Sequence, residues 1–320
     1  MNIEMIQASA SRAAGHVRYT PMLSSPFLDE IAGRRVLLKA ECLQHTGSFK
    51  YRGAWSAVSS LDQGARARGV IAFSSGNHAQ AIALSARHHG TSAVIVMPSD
   101  APVIKIDNTR ALGAEVVLYD REREDRLAIG EAIAKDRGLT LIQPFDEPQV
   151  IAGQGTCGLE IAQQAAEMGA VGAPVLVCCG GGGFTSGVAL ALEGTGHSVH
   201  PVEPEGFDDV IRSMASGRRE RNTRQSGSLC DAIVTPSPGE LTFPIIQRLC
   251  GRGIVVSEDE AMRAVALAFL RLKVVLEPGG AVALAAALFH PGAVEGDAVI
   301  ATASGGNIDA DVFARALDTL

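Results

Sequence analysis

Short apolar runs alternate with longer amphipathic stretches along most of this 320-residue chain. Short apolar runs bounded by turn residues predict buried strands, and an apolar period of about 3.6 residues predicts helices. The predicted strands are residues 36–40, 70–73, 93–97, 115–119, 139–143, 175–178, 198–203 and 298–302. The predicted helices are residues 3–14, 51–61, 79–89, 103–112, 123–137, 158–168, 184–193, 207–216, 240–250, 258–274 and 277–289, with a last helix after residue 307.

This alternation indicates an α/β fold with mainly parallel sheets that are covered by helices on both faces. The pattern closes one compact unit near Pro144 and then resumes, and 320 residues are enough for two domains. The chain is 47% hydrophobic but only 4% aromatic, and it has 35 glycines. Small aliphatic side chains therefore fill the interior, as suits helices packed closely on a parallel sheet.

Charge and cysteine spacing argue against several classes of protein. The formal net charge of -7 does not favour nucleic-acid binding. The six cysteines contain no C-x-x-C pair and no zinc-type spacing. The longest apolar run, residues 281–289, is far shorter than the ~20 residues that span a bilayer, and the N-terminal residues do not resemble a signal peptide. We expect a cytoplasmic protein without nucleic-acid or membrane partners.

Four polar, glycine-bearing turns each follow a predicted strand or a strand-like segment. They contain Lys50, Asn77, the run Gly180 to Gly183, and Ser304. In open α/β sheets, ligands bind beyond the carboxyl ends of the strands, where such turns collect. Taken singly, each turn has an ordinary explanation as a solvated surface residue, a helix cap or a tight turn. Taken together, they predict one shared ligand.

The glycine run is the strongest of these signals. Successive residues without Cβ allow backbone N–H groups to converge on one point, and the helix that follows adds its dipole, so the run predicts an anion site. It matches neither a Walker A motif nor a G-x-G-x-x-G fingerprint. A desolvated lysine nearby is a nucleophile for carbonyl compounds. A phosphate-bearing aldehyde held as a Schiff base, such as pyridoxal phosphate, satisfies both requirements.

Six segments in order resemble the fold-type II pyridoxal-phosphate enzymes of the serine/threonine dehydratase and serine racemase family. They are GSFKYRGA at 47–54, SGNHAQ at 75–80, IAGQGT at 151–156, GGGG at 180–183, EPGGA at 277–281 and SGGN at 304–307. The resemblance covers nearly the whole chain. It implies a tryptophan synthase beta-like architecture of two three-layer α/β domains. The large cofactor domain would comprise residues 1–50 and 145–320, and the small domain residues 51–144.

The resemblance also implies a role for each candidate residue. Lys50 would hold the cofactor and take the Cα proton of the substrate. The other cofactor contacts would come from Asn77, Gly180, Gly181, Gly182, Gly183, Glu277 and Ser304. The substrate contacts would come from Ser75, Asn77, His78 and Arg126. The neutral hydroxyl of Ser304 at the ring nitrogen would favour elimination.

The implied reaction is that of an ammonia-lyase, in which a β-hydroxy amino acid loses water and the resulting enamine hydrolyses to a 2-oxo acid and ammonia. Threonine, serine and 3-hydroxyaspartate each suit this chemistry. The alternative is a serine/aspartate-type racemase or a bifunctional enzyme, because Ser75 would be a second catalytic residue that delivers a proton to Cα from the face opposite Lys50. A third interpretation is a nucleotide-binding protein without chemistry. Cys230-Asp231-Ala232 departs from the Ala-Asp-Gly of relatives, which leaves the substrate open. We also expect a homodimer.

The segment VEPEGFDD at residues 202–209 predicts a divalent cation site. A strand ends at Glu203, a turn follows, and Asp209 opens the next helix. Two carboxylates and a carbonyl between them suit Mg²⁺, Ca²⁺ or Mn²⁺. On spacing alone, helix capping is the favoured explanation of these acids. The resemblance favours the metal, because metal-activated serine racemases and related dehydratases have an acid, a carbonyl and an acid at the positions of Glu203, Phe207 and Asp209.

Overall fold

The computed structural model of the chain describes residues 1–74, 76–101, 103–120 and 122–320. Its helices are α1 (Ile3–Ala13), α2 (Pro26–Ala32), α3 (Lys50–Ser59), α4 (Gln63–Arg68), α5 (Asn77–His88), α6 (Val103–Ala111), α7 (Arg126–Arg137), α8 (Pro148–Glu167), α9 (Gly183–Leu192), α10 (Asp209–Ser216), α11 (Thr242–Leu249), α12 (Glu258–Leu272), α13 (Pro278–Phe289) and α14 (Ala310–Leu317). Its strands are β1 (Met22–Ser24), β2 (Arg35–Lys39), β3 (Val70–Phe73), β4 (Ala93–Pro98), β5 (Glu115–Tyr119), β6 (Thr140–Leu141), β7 (Val175–Cys178), β8 (Val199–Pro204), β9 (Ile254–Val256) and β10 (Ala298–Thr302).

The larger sheet has the strand order β1-β2-β10-β7-β8-β9. Strand β1 runs antiparallel to β2, and the other described pairs of this sheet are parallel. Strand β10 lies in the interior of the sheet, with Val299 opposite Val36 on one side and Ile300 opposite Val175 on the other. Helices cover both faces, which is why these strands are near-continuous apolar runs.

The smaller sheet has the strand order β5-β4-β3-β6, and all its described pairs are parallel. All of its strands come from residues 70–141. Helix α5 follows β3 directly, so the turn between them opens at the carboxyl edge of this sheet. The expected α/β architecture with mainly parallel sheets is therefore confirmed.

Helix α8 packs against α1, α3 and α9 and connects the two sheets. Its glycines allow this close approach. A Cβ on Gly153 would lie 2.4 Å from the carbonyl oxygen of Arg52 in α3, and a Cβ on Gly187 of α9 would lie 2.5 Å from the carbonyl oxygen of Ile151. The first turn of α3, which begins with Lys50, is thus held directly against α8.

A buried cluster of four charges anchors the opposite side of that turn. The Arg52 guanidinium donates to Glu41 at 2.7 Å and to Glu160 at 2.6 Å, and Lys39 donates to Glu160 at 2.6 Å. Two positive and two negative groups balance, and each has a charge-assisted hydrogen bond, as buried charges require. Residues 50 and 52 are two positions apart in a helix, so this cluster lies on the face away from Lys50.

Helix and strand limits differ from the sequence predictions at several places. Helix α8 begins at Pro148 instead of residue 158, because its glycines let neighbouring helices approach closely and the packing keeps these residues helical. Strand β6 covers Thr140–Leu141 instead of residues 139–143. The sequence pattern did not predict α2, α4, β1 or β9. The last two are three-residue strands, which are too short to show a period.

Candidate active site

The turns that contain Lys50 and Ser304 lie side by side at the carboxyl ends of β2 and β10. Ser48 and Gly305 pair in an antiparallel bridge. The backbone N–H of Phe49 donates to the carbonyl oxygen of Ser304 at 3.0 Å. Because β2 and β10 are neighbouring parallel strands, their turns emerge at one edge of the sheet.

Asn77 begins α5, on the smaller sheet, and reaches the same place through its side chain. Its Nδ2 donates to Glu277 Oε1 at 2.6 Å, and its Oδ1 accepts from Asn307 Nδ2 at 2.7 Å. Asn307 also donates to the carbonyl oxygen of Thr46 at 2.8 Å. These bonds join the turns from both sheets. Ser75, the second predicted catalytic residue, lies outside the described residues.

The amine of Lys50 is buried at the start of α3. Its Nζ donates to the carbonyl oxygen of Pro144 at 2.8 Å. Burial lowers the pKa of Lys50 to about 8, and the charge of Glu277 opposes part of this shift. The neutral amine is the nucleophilic form. A larger fraction of Lys50 is therefore reactive near neutral pH than of an exposed lysine.

The glycine run connects β7 to α9 and lines a cavity of about 40 Å³ beside Lys50. A Cβ on Gly181 would lie 2.4 Å from the ring of Phe145, and a Cβ on Gly180 would lie 2.6 Å from the carbonyl oxygen of Ile233. Gly182 has a φ of 89°, in the left-handed region. The loop has no room for side chains at these positions, and its place at a helix N-terminus suits an anion such as phosphate.

A second cavity of about 220 Å³ adjoins the first at Lys50. The predicted residues that line it are Lys50, Asn77, His78, Arg126 and Glu277. The loop that departs from the family pattern also reaches it, through Asp231, Ala232, Val234, Thr235 and Pro236. Ser304 does not line either cavity. The residue is 4% exposed.

Burial disfavours the charged forms of both the acid and the imidazole of this cavity. Burial raises the pKa of Glu277 to about 7, and the hydrogen bond from Asn77 opposes that rise. Burial, with the charge of Lys50, lowers the pKa of His78 to about 3. His78 Nε2 lies 3.1 Å from the carbonyl oxygen of Ile142, so it carries the proton. His78 Nδ1 has no partner among the described residues and is left as an acceptor for a ligand.

Glu203 and Asp209 lie together at the carboxyl end of β8, on the far side of the glycine run. The Glu203 carboxylate accepts from the backbone N–H groups of Val210 at 3.2 Å and Ile211 at 2.8 Å, so it does cap α10. Asp209 accepts from Asn222 at 2.5 Å through Oδ1, while its buried Oδ2 has no partner among the described residues. Burial raises the pKa of both acids.

Two buried carboxylates with an unpartnered oxygen fit a hard divalent cation. The carbonyl of Phe207 was predicted as the third ligand. Phe207 lies between the two acids in the sequence, and its side chain is buried. Across the described ranges, no three His, Cys, Asp or Glu side chains are grouped to hold a metal. A cation at this place would therefore depend on two carboxylates, backbone carbonyl and water.

Two residues of the larger cavity were not singled out from the sequence. Lys105 on α6 is a cation close enough to influence Glu277. Phe145 contacts the glycine run from the segment that leads into α8. Neither carries turn chemistry or a motif. Phe145 does follow the predicted strand 139–143, but Lys105 lies inside the predicted helix 103–112 and had no sequence signal.

Comparison with known proteins agrees with this site. Residues 13–305 match the family described as pyridoxal-phosphate dependent enzyme. The chain belongs to that family. It is 40% identical over 311 residues to the L-threo-3-hydroxyaspartate ammonia-lyase of Pseudomonas sp, which covers 97% of this chain and 96% of the relative.

Solved structures place this family member among the fold-type II enzymes. A crystal structure of T.th. threonine deaminase has a TM-score of 0.90 and 43% identity, covering 97% of this chain and 99% of that one. Maize serine racemase has a TM-score of 0.91 and 33% identity, covering 99% and 97%. The expected fold class and family are thus confirmed.

Proposed function

We propose that this chain is a pyridoxal-phosphate-dependent ammonia-lyase that converts a β-hydroxy amino acid to a 2-oxo acid and ammonia. One observation carries the proposal. The Lys50 amine, with its pKa lowered by burial, lies between a glycine loop suited to phosphate and a cavity lined by cationic side chains. The ammonia-lyase names of similar proteins support it.

The described residues fit the cofactor. The glycine loop at the start of α9 would bind its phosphate, because side-chain-free backbone and the helix dipole favour an anion there. The buried hydroxyl of Thr185 lines the same cavity and has no hydrogen-bond partner among the described residues. Asn77 and Glu277 would hold the ring oxygen side. The predicted contact of Ser304 with the ring nitrogen stays a prediction, since Ser304 lines neither cavity. When bound, pyridoxal phosphate supplies an electron sink that weakens the bonds at the substrate Cα.

The chain's own residues would do the rest. Lys50 in its neutral form accepts the proton from the substrate Cα. Asn77 would orient the substrate carboxylate by donating from its amide nitrogen. His78 Nδ1 would accept a hydrogen bond from an N–H or O–H group of the substrate. The Cβ hydroxyl leaves as water, for which Lys50 returns the proton that it took from Cα. The released enamine then takes up one water to give the 2-oxo acid and ammonia, so that the net loss is ammonia.

The cations of the larger cavity favour 3-hydroxyaspartate over serine or threonine. Lys105 and Arg126 both line it, and neither has an ion-pair partner among the described residues. A substrate with a second carboxylate would supply that partner. The cavity also has two acids, Asp231 and Glu277, and the charges of Lys105 and Lys50 both act on Glu277.

A substrate panel tests this proposal. The purified holoenzyme is incubated with serine, threonine and the threo and erythro forms of 3-hydroxyaspartate, and the 2-oxo acid is measured. We expect 3-hydroxyaspartate to have the highest kcat/KM. Lys105→Met should raise KM for 3-hydroxyaspartate about tenfold and change that for threonine less than about twofold, because a lost charge contact costs binding of the charged substrate.

The matched control is Lys135→Met, which removes an exposed lysine on α7, away from the cavity. No 2-oxo acid from any substrate would contradict the ammonia-lyase assignment. Equal losses for both substrates in Lys105→Met would remove Lys105 from the recognition of the second carboxylate.

Racemisation is the second candidate, and it is supported by similar proteins named serine racemase, such as that of Oryza sativa subsp. japonica at 35% identity. It depends on the proposed proton transfer from Ser75. Chiral analysis of the same panel in deuterated water distinguishes it, since racemisation gives an inverted, deuterated amino acid. Absence of that product restricts the enzyme to elimination.

We also propose a divalent cation, with Mg²⁺ preferred over Ca²⁺ or Mn²⁺, bound by Glu203, Asp209 and the carbonyl of Phe207. The unpartnered oxygen of Asp209 supports it. The capping bonds of Glu203 do not exclude it, since a carboxylate oxygen has two lone pairs.

The domain division, assembly and location are proposals of the same kind. The separate sheets support a small domain at residues 51–144 within a large domain at residues 1–50 and 145–320.

A homodimer contact is suited by exposed apolar side chains on two adjoining helices. They are Phe27 and Ile31 on α2, with Leu270 and Val275 near the end of α12. All six cysteines are free, which supports the cytoplasm. In the described residues, no helix has the length and apolar character needed to cross a membrane.

A further inference from the structure

Residues 234–239 form a wall between the two cavities. Val234, Thr235 and Pro236 line the larger cavity, and Thr235 lines the glycine cavity as well. The Thr235 hydroxyl is buried and has no hydrogen-bond partner among the described residues. A buried hydroxyl without a partner is unfavourable, so this one is suited to a ligand that fills the boundary.

This wall is fastened at both ends. At its far end, the backbone N–H of Gly239 donates to the carbonyl oxygen of Gly181 in the glycine run at 3.2 Å. At its near end, Asn222 forms two bonds. Its side-chain Nδ2 donates to the carbonyl oxygen of Thr235 at 2.9 Å, and its backbone N–H donates to that of Pro236 at 2.9 Å.

Asn222 is itself fixed by α10. Its Nδ2 also donates to Asp209 Oδ1 at 2.5 Å, and its Oδ1 accepts from Arg212 Nη2 at 2.6 Å. The residue is 9% exposed, and it does not line either cavity. It therefore acts on a ligand only through the wall. A primary amide suits this place, because it donates twice and accepts once, which a carboxylate or a hydroxyl does not.

We propose that Asn222 is a positioning residue that directs the Thr235 hydroxyl at a polar group of the bound substrate, at the boundary with the cofactor. The inference rests on the proposed function for the nature of the ligand, while the fastening itself rests on the hydrogen bonds above. Loss of this wall should weaken substrate binding but have little effect on the rate of the bond-breaking steps. The Lys50 amine, which moves the proton, is held by the carbonyl oxygen of Pro144 and not by the wall.

The test begins with hydrogen exchange in the substrate-free holoenzyme. In Asn222→Ala, the hydrogen-bonded backbone N–H groups of Val234, Gly239 and Glu240 should exchange at least about tenfold faster than in the native enzyme. The reason is that local opening of the wall no longer has to break the Asn222 bonds. The matched control is Arg221→Ala, which removes the neighbouring exposed side chain and should leave exchange unchanged. Unchanged exchange in Asn222→Ala would overturn the fastening, whether or not the enzyme is an ammonia-lyase.

Kinetics then test the link to the substrate. Asn222→Ala should raise KM about tenfold and change kcat less than about threefold, and Thr235→Val should do the same. The double variant should be no worse than the more affected single variant, because both changes remove one contact. Fully additive losses, or a KM unchanged despite faster exchange, would overturn the link. If Asn222→Ala does not fold, Asn222→Ser, which keeps a shorter donor, replaces it in both measurements.

Discussion

The reactivity of Lys50 is set by where its amine lies rather than by its neighbours in sequence. Burial lowers its pKa to about 8 against an ordinary value of 10.5. Below pH 8 the neutral fraction should rise about tenfold per pH unit, and above pH 8 it should level off. For an exposed lysine the rise would continue to beyond pH 10.

We therefore expect the rate at which pyridoxal phosphate becomes covalently attached to the cofactor-free protein to increase with pH up to about 8 and then to plateau. Stopped-flow absorbance with borohydride trapping measures this rate. Lys50→Ala is the control, and it should bind the cofactor only reversibly, through the glycine loop. A rate that keeps rising to pH 10 would show that the amine is not desolvated in the protein.

Residues with special backbone chemistry could be found from the sequence, and those without it could not. Lys50, Asn77 and the glycine run lie in turns that follow predicted strands, and this position made them candidates. Lys105 and Asn222 stand in stretches with no such signal. Their importance comes from distant contacts, such as that of Asn222 with Thr235, which are set by tertiary packing.

At the scale of elements, α8 shows that packing can override local propensity. Glycine disfavours helices by about 1 kcal/mol relative to alanine, and the sequence pattern predicted this helix only from residue 158. In the structure the helix begins at Pro148 because Gly153 lets α3 approach. By contrast, the strands Val70–Phe73, Glu115–Tyr119, Val175–Cys178 and Ala298–Thr302 were predicted with the bounds that the structure has, because buried parallel strands are continuous apolar runs.

We expect Gly153→Ala to destabilise the protein by about 2 kcal/mol despite the better helix propensity of alanine, because the added Cβ would lie 2.4 Å from a backbone oxygen of α3. Thermal unfolding measures this change. Gly292→Ala is the matched control, since its Cβ would have nothing within 4 Å. A Gly153→Ala melting temperature equal to or above that of the native protein would mean that α3 and α8 are not held as closely as described.

At the scale of the whole molecule, Asp209 contributes to two features. One carboxylate oxygen holds Asn222, and the other is free for a cation. Dialysis against a chelator should lower the melting temperature, and added Mg²⁺ should restore it in proportion to the logarithm of its concentration, because the ion binds the folded state. Asp209→Asn should abolish this response to Mg²⁺. Identical melting curves with chelator and with Mg²⁺ would mean that no cation binds here and that Glu203 and Asp209 only stabilise the start of α10.

The strand order also has a consequence for how the chain matures on the ribosome. The smaller sheet is complete once residue 141 has been made, so it is able to form early. The larger sheet is not, because β10, which joins β2 to β7, is the last strand to be synthesised. Until residue 302 emerges, its two halves are separate and β2 has an unpaired edge. During this interval the exposed edge of β2 can pair with other chains and aggregate. A chaperone that covers exposed strand edges should therefore raise the yield of active enzyme most at this stage.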